Sequence, residues 1–396
     1  MCVLWEVKQK RLPQCSLSLT GNRPRITIFS AAAPIHFTAG VSMNNVILKA
    51  TDLDGYLTDE DRKNLLEMGS LYDKALSLFS RVEHATDRKE SQRRRSTLIE
   101  LYNEMGELMR QITSAEPAIQ VYSFETPRAT HGEASRLIAK LRDPTTTRPE
   151  FIYYIQRAYE LLFNLSVTSH PTQTQNYIIS RTPVSTPVQN YSVHKIPDVD
   201  DEFKHAVMCV MLRGALLPSM IMSKEIQEYT STGYVTPFAL FRIKRDDSKQ
   251  EYNMEYLLDL NKSFFDLETL DGKDLIFADP MNATGGSLVT IMSYLLKEGV
   301  KPRSVRFFNV ISALKGSLRI VRALENVTVY TLWMDPMLND AAYILPGLGD
   351  AGDRINGPDT SERPRNIIQL IADYGTTIIE LYRSQVREIE ETVLGK

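Results

Sequence analysis

The strongest candidate for a binding site is a turn between Asp279 and Ser287. The apolar run 275–278 predicts a short buried strand ending at Asp279, and an apolar pattern with helical spacing follows Ser287. A glycine-containing turn that leads into a helix directs several backbone N–H groups at one point, where the helix dipole favours an anion. This arrangement suits a phosphate group, with the Asp279 carboxylate beside it to accept hydrogen bonds from sugar hydroxyls. The alternative for such a turn is an ordinary helix cap.

The amino-acid sequences of two segments resemble motifs of the uracil phosphoribosyltransferase family. Residues 279–287, DPMNATGGS, are similar to that family's ribose-phosphate loop, DPMLATGGS. Residues 342–354, AYILPGLGDAGDR, resemble its GYIxPGLGDAGDR segment. Weaker similarity extends over residues 130–357. Within it, residues 211–217 (MLRGALL) stand where the family has LRAGLG, and Phe241-Arg242 stands where it has Tyr-Arg, before a charged hairpin tip.

The resemblance implies a fold and an activity. The fold is α/β of the type I phosphoribosyltransferase kind, a mostly parallel sheet flanked by helices, to which this chain adds a helical region. Alternating strand and helix patterns between residues 200 and 357 favour the same class. The implied reaction, a step of pyrimidine salvage, transfers phosphoribose from 5-phosphoribosyl 1-pyrophosphate (PRPP) to uracil, giving UMP and pyrophosphate. Positioning and electrostatics supply most of the rate of such a transfer, so no covalent nucleophile is needed.

The resemblance also implies which residues act. Arg213 and Arg242 match two arginines that face the pyrophosphate, and Asp350 matches the acid placed between the base and PRPP. Asp350 and Arg213 are therefore the catalytic candidates. The expected PRPP-binding residues are Arg213, Arg242, Asp279, Pro280, Met281, Asn282, Ala283, Thr284, Gly285, Gly286, Ser287 and Asp350. The expected uracil-binding residues are Tyr343, Ile344, Gly349, Asp350 and Ala351. We expect Mg²⁺ on the pyrophosphate, held by substrate oxygens and water, with no metal site of the protein's own.

Several residues depart from the family pattern. Asn282 replaces a leucine of the phosphate loop, and residues 312–317 (SALKGS) replace an AAPEG-like segment. Leu217 replaces a glycine that comes close to the pyrophosphate, and Ala342 replaces the glycine before Tyr343. Two alternatives stay open: a phosphoribosyltransferase for another base, or a non-catalytic regulator that binds PRPP or a nucleotide. The retained acids and arginines favour catalysis, whereas the altered Arg213 loop and the added helices favour the regulator.

Three segments lie outside the resemblance. Residues 1–42 are basic and rich in Ser and Thr, and we expect them to be disordered. They are either an organelle transit segment or a stretch upstream of a translation start at Met43. The apolar pattern predicts a helical hairpin extension over residues 43–120 and a C-terminal helical extension over residues 361–396. The uracil phosphoribosyltransferase-like domain is expected between them, over residues 121–360.

The amino-acid composition narrows the possible classes of function and cellular compartment. A net charge of −3 gives no electrostatic signature of nucleic-acid binding. No apolar stretch approaches the ~20 residues that span a bilayer, so we expect no membrane partner. Three cysteines are too few for a disulfide framework or a zinc site, which favours a reducing compartment, here the cytoplasm, or an organelle if residues 1–42 direct import. The resemblance implies a homo-oligomer. Whether GTP or another nucleotide acts as an effector is left open by the sequence.

Overall fold

A mostly parallel sheet forms the centre of the molecule and carries the candidate site at one end of its strands. The computed structural model describes residues 45–83, 88–125, 128–168, 175–181, 183, 191–357, 369–370, 372–374 and 376. These all belong to a unit that spans residues 40–396. The expectations for residues 1–42 fall outside the described residues.

The described strands are β1 (Asn45–Lys49), β2 (Ile119–Val121), β3 (Gln175–Arg181), β4 (Tyr191–Pro197), β5 (Ala206–Leu212), β6 (Phe238–Arg245), β7 (Glu255–Phe264), β8 (Asp274–Ala278), β9 (Met281–Asn282), β10 (Ser304–Ala313), β11 (Val327–Asp335), β12 (Met337–Leu338) and β13 (Ile344–Leu345). The described helices are α1 (Ala50–Asp54), α2 (Asp59–Glu83), α3 (Arg88–Ser114), α4 (Tyr122–Glu125), α5 (Arg128–Arg142), α6 (Arg148–Thr168), α7 (Asp200–Phe203), α8 (Leu216–Tyr229), α9 (Leu267–Leu270), α10 (Gly286–Lys297), α11 (Leu314–Ala323) and α12 (Ala351–Asn356).

The large sheet has the strand order β1-β7-β6-β5-β8-β10-β11-β2, and the short β9 pairs with β10. From β6 to β2 every neighbouring pair is parallel, whereas β7 runs antiparallel to both β6 and β1. All residues of β5 and β8 are buried, as expected for strands covered by helices on both faces. Helices α6, α8, α10 and α11 pack on the sheet. The predicted α/β fold class is therefore confirmed.

The N-terminal region is more closely built into the sheet than the sequence predicted. Helices α2 and α3 do pack against each other as a hairpin. However, the region also supplies β1 and β2, the two edge strands of the large sheet. The expected domain boundary at residue 120 therefore falls inside a strand. Both strands are short and pair with residues distant in sequence, so no local pattern could reveal them.

Ion pairs fix this region to α11. The buried Arg319 donates to Asp54 from its Nε atom over 3.0 Å. Arg322 bonds Asp61 and Glu116. These contacts join residues before position 120 to a helix that packs on β10 and β11.

Among the described helices, none combines enough length with enough apolar character to cross a lipid bilayer.

Two further regions are described, one within the expected central domain and one after it. Strands β3 and β4 form a separate two-stranded hairpin that the sequence did not suggest. Of the expected C-terminal helix, residues 369–370, 372–374 and 376 are described and helical, and the others lie outside the described residues.

Candidate functional site

The carboxyl ends of β5, β6 and β8 open onto one cavity, where ligands of parallel α/β sheets usually bind. Its walls come from three loops and strand ends: residues 211–214, residues 243–245 and the turn 281–288. Asp279 stands at the end of β8, and residues 342–344 with 349–350 close the opposite side. The structure thus brings together segments that are up to 140 residues apart in sequence.

Two glycines give the turn before α10 its shape. Gly285 has a φ of 75°, and a Cβ atom there would stand 2.8 Å from the Gly316 carbonyl oxygen. At Gly286, a Cβ atom would stand 2.2 Å from the ring of Tyr256. No side chain fits at either position, and both glycines line the cavity at the start of α10. Backbone amides at a helix N-terminus are suited to an anion.

Tyr256 on β7 is a cavity residue that the sequence did not reveal. Its phenol donates to the Thr284 Oγ1 atom over 2.5 Å, and the Gly286 N–H donates weakly to the same oxygen over 3.4 Å. Since both contacts use lone pairs of the hydroxyl oxygen, the hydrogen of the Thr284 hydroxyl stays available to a ligand. Only the register of the antiparallel strand β7 brings the two residues together.

Two acids share the cavity. Asp279 accepts a hydrogen bond from the Met281 N–H over 3.0 Å. Loss of solvation nevertheless raises the pKa of Asp279 to about 7, and the negative charge of Asp350 adds to the rise. Asp350 is the N-cap of α12, and its Oδ1 atom accepts from the Asp353 N–H over 2.9 Å. Within the described ranges, no three His, Cys, Asp or Glu side chains are grouped so that they could hold a metal ion.

Of the two expected arginines, one lines the cavity. Arg213 follows β5, and its guanidinium donates to the Gly357 carbonyl over 3.1 Å and to Asp353 over 3.2 Å. Arg242 lies within β6 and is not among the residues that line the cavity. Arg245, at the end of β6, lines it instead. Its position directly before the charged hairpin tip is the signal in the sequence that could have identified it.

Arg245 reaches across the cavity to the opposite loop. Its guanidinium donates to the Ala342 carbonyl over 3.3 Å and lies 4.7 Å from the centre of the Tyr343 ring. It also pairs with Asp247 over 2.7 Å. Ala342 has a φ of 62°, a left-handed conformation that glycine adopts more readily. The replacement of glycine at this position is therefore accommodated at some cost in backbone strain.

The remaining expected base-binding residues divide into two groups. Tyr343, Ile344 and Gly349 line the cavity, whereas Ala351 is buried in the first turn of α12 and does not. Pro280 of the phosphate turn likewise does not line it.

Buried polar contacts hold the loop between β13 and α12. Asp335 accepts from the Gly347 N–H over 3.0 Å and from Arg142 over 2.5 Å. Arg354 donates to the Leu348 carbonyl over 2.9 Å, with its guanidinium 4.0 Å from the centre of the Phe151 ring. Arg142 in α5 and Phe151 in α6 are distant in sequence from this loop, so no local pattern indicated their contacts with it.

Two departures from the family pattern meet in the structure. Asn282 donates from its Nδ2 atom to the Ser312 hydroxyl over 2.8 Å, and Ser312 bonds Ser317 over 2.6 Å. All three side chains are buried. The polar side chain in the phosphate turn therefore has its partners in the altered 312–317 segment. Leu217, a third departure, is buried in the first turn of α8 and does not enter the cavity.

Comparison with known proteins gives a consistent match. The family model for uracil phosphoribosyltransferase matches residues 129–357. The uracil phosphoribosyltransferase of Dictyoglomus thermophilum is 32% identical over 227 residues, which cover 57% of this chain and 96% of that protein. The one from Mycoplasmoides gallisepticum is 29% identical over 228 residues, with the same shares covered. Among solved structures, a protein from Aquifex aeolicus aligns with a TM-score of 0.41 and 23% identity, over 57% of this chain and 95% of its own.

Proposed function

The chain belongs to the uracil phosphoribosyltransferase family, and we propose on that premise that it makes UMP and pyrophosphate from uracil and PRPP. The observation that carries the proposal is the common cavity of the phosphate turn 281–288, Arg213, Asp279 and the 343–350 loop. A phosphate cradle, acids for a sugar and a loop for a base are the three features that this transfer requires.

PRPP binding divides among the walls of the cavity. The amides at the start of α10 and the Thr284 hydroxyl bind the 5-phosphate. The Asp279 carboxylate accepts hydrogen bonds from the ribose hydroxyls. Arg213 and Arg245 supply guanidinium donors for the pyrophosphate, whose charge and planar oxygen pairs suit such groups. We propose Arg245 here in place of Arg242 because only Arg245 lines the cavity.

The transfer forms a bond between C1 of the ribose and a ring nitrogen of uracil as the bond to the pyrophosphate oxygen breaks. Positive charge develops on the ribose in the transition state, and the Asp350 carboxylate at the cavity wall stabilises it. The nitrogen loses its proton in the same step, and the departing pyrophosphate accepts it. No covalent intermediate with the protein is required, since the fixed positions of the two reactants supply most of the rate.

We propose Mg²⁺ as the ion that accompanies PRPP. The ion would be held by substrate oxygens and water, because the described residues contain no group of three His, Cys, Asp or Glu side chains that could hold it. When bound with PRPP, the ion would neutralise charge on the pyrophosphate.

Uracil recognition falls to the loop of residues 343–350. Main-chain amides and carbonyls around Ile344 and Gly349 can pair with the donor and acceptor edge of a pyrimidine. Tyr343 covers the base with its ring, which Arg245 holds from the other side. A base with a different arrangement of hydrogen-bond donors and acceptors leaves buried polar groups of the loop unpaired. This loss is the basis on which the site selects uracil.

A homo-oligomer is part of the proposal. The β3–β4 hairpin exposes apolar side chains, with Tyr177 62%, Ile179 69% and Val193 62% exposed. A two-stranded hairpin with such a surface gains stability when a second copy covers it. Sedimentation of the purified chain would detect the oligomer, and a monomer at assay concentration would refute it.

The test of function is an assay of the purified chain with PRPP, Mg²⁺ and uracil, with cytosine and hypoxanthine in parallel. We expect UMP from uracil and little product from the other bases. Asp350→Asn is the matched variant, because asparagine also caps helices well and the fold is kept. Its rate should fall by about 100-fold or more. Product formed mainly from another base would show that this base, and not uracil, is the substrate. PRPP binding without any product would indicate a regulator.

A further inference from the structure

A short helical segment beyond the family match packs into the core beside the candidate site. The match ends at residue 357, whereas Leu370 and Tyr374 are only 1% and 3% exposed. Their spacing of four residues puts both side chains on one face of a helix. The described residues 372 and 373 between them are more exposed, so of the described residues in this segment Leu370 and Tyr374 are the ones that enter the core.

The phenol of Tyr374 makes a polar contact inside this core. Its Oη atom donates to the Asn356 Oδ1 atom over 2.8 Å, and the Asn356 side chain is fully buried. Burial raises the pKa of Tyr374 to about 12, so the phenol keeps its proton and its role as a donor.

The partner of Tyr374 adjoins a group that holds Arg213. Asn356 is the last residue of α12 and immediately precedes Gly357, whose carbonyl accepts from the Arg213 guanidinium over 3.1 Å. The hydrogen bond from Tyr374 therefore fixes the residue next to the carbonyl that Arg213 contacts.

We propose that Tyr374 is a positioning residue for phosphoribosyl transfer, which holds Arg213 at the cavity by fixing the end of α12. The inference rests on the proposed function in that Arg213 is taken to bind the pyrophosphate of PRPP. Arginine loses considerable side-chain freedom on binding a ligand, and a fixed loop reduces that loss. The segment that carries Tyr374 thus extends the active site beyond the part of the chain shared with the family.

The test compares Tyr374→Phe with Leu370→Ala in the full chain. Tyr374→Phe keeps the ring and removes only the hydroxyl that bonds Asn356. Leu370→Ala removes a buried apolar side chain of the same segment and leaves the polar contact in place. The readouts are the melting temperature, the KM for PRPP and for uracil, kcat, and the Kd of magnesium pyrophosphate by calorimetry.

We expect Tyr374→Phe to raise the KM for PRPP and the Kd of pyrophosphate about tenfold, with the KM for uracil changed less than about twofold. Leu370→Ala should lower the melting temperature at least as much and leave both pyrophosphate-dependent constants within about twofold of wild type. If the two variants change these constants in proportion to their loss of stability, Tyr374 has only a structural role and the proposal fails.

Pyrophosphate binding separates this inference from the function. A wild-type chain that binds pyrophosphate and forms no UMP refutes the proposed reaction, and the binding comparison of the two variants still decides the role of Tyr374. A wild-type chain that does not bind pyrophosphate overturns the inference itself.

Discussion

Tyr256 donates a hydrogen bond to the Thr284 hydroxyl over 2.5 Å and thereby fixes a strand of the sheet to the phosphate turn. The same ring lies against Gly286, where no side chain could fit. One residue of β7 therefore sets both the orientation of a hydroxyl donor and the close approach of the backbone. This contact makes Tyr256 part of the phosphate site although it stands outside the turn itself.

Tyr256→Phe should weaken PRPP binding without unfolding the protein. The ring that packs on Gly286 stays, but the Thr284 hydroxyl loses the donor that orients it. We expect the KM for PRPP to rise about three- to tenfold, with little change in the KM for uracil. Steady-state kinetics with each substrate varied in turn would measure both values.

Tyr234→Phe provides the matched control. Its phenol donates to the Ala206 carbonyl over 2.9 Å, at the start of β5 and therefore at the opposite end of the strands from the cavity. The substitution removes a comparable hydrogen bond and should leave both KM values unchanged. Equal kinetic effects of the two variants would contradict a specific role for Tyr256.

Much of the central fold could be predicted because its signals are local. The apolar run before Asp279, the glycine turn and the helix after Ser287 stand next to one another in the chain, and the structure places them as a strand, turn and helix. Strand β5 lies within the region of residues 200–357 where alternating strands and helices were expected, and its continuous apolar run is typical of a strand buried on both faces.

Contacts between distant segments escaped the same reasoning. Tyr256 meets Thr284 only through the pairing of β7, and Asn282 meets Ser312 only through the pairing of β9 with β10. A window of sequence contains neither relationship. The sequence offered Arg242 through its match to the family's Tyr-Arg, whereas the structure adds Arg245, at the end of β6, to the residues that line the cavity.

The choice between these arginines can be tested directly. Arg245→Ala should raise the KM for PRPP about 10- to 50-fold, because a charge-assisted donor to the pyrophosphate is lost. The KM for uracil should rise as well, since the contact with the Tyr343 ring and the Ala342 carbonyl disappears. Arg242→Ala should change either constant by less than about threefold.

Arg245→Lys refines the comparison because it keeps the charge and loses the planar fork. An intermediate effect is expected, since lysine cannot form two parallel hydrogen bonds to one group. If Arg242→Ala instead weakens PRPP binding more than Arg245→Ala, the match of Phe241-Arg242 to the family's Tyr-Arg is the better guide and Arg245 has another role.

The raised pKa of Asp279 predicts a specific dependence of folding stability on pH. This pKa is about 7 in the folded protein, against about 4 in an unfolded chain. Between these values the folded state keeps a proton that the unfolded state releases. The contribution of this group to stability is therefore fully present below pH 4 and is lost as the pH rises through 7.

Asp279→Asn removes that titration and supplies its measurement. The melting temperature of the variant, relative to wild type, should increase between pH 5 and pH 8, because only the wild type must ionise a desolvated carboxyl group. Titrating groups that do not interact with Asp279 are common to both proteins and cancel in the difference. A constant difference across this range would show that Asp279 ionises normally, and the raised pKa would then be wrong.

The contact between Asn282 and Ser312 predicts that two departures from the family pattern depend on each other. Asn282→Leu restores the leucine of the family's loop but takes a donor away from a buried hydroxyl. The loss should be about 1–3 kcal/mol in the free energy of unfolding. Ser312→Ala alone should cost a similar amount, because the buried Asn282 amide then keeps only a 3.5 Å contact with Ser317.

The double variant Asn282→Leu, Ser312→Ala should be more stable than the sum of the single losses predicts, by about 1 kcal/mol or more, since neither partner is then left unpaired. Urea unfolding of the four proteins gives this coupling energy. Asn282→Leu combined with Thr236→Val is the control, because Thr236 bonds Ser223 and shares no partner with Asn282. Its losses should simply add. If the Asn282–Ser312 pair adds in the same way, the two replacements are independent, and the polar residue in the phosphate turn must be explained by its contact with the ligand.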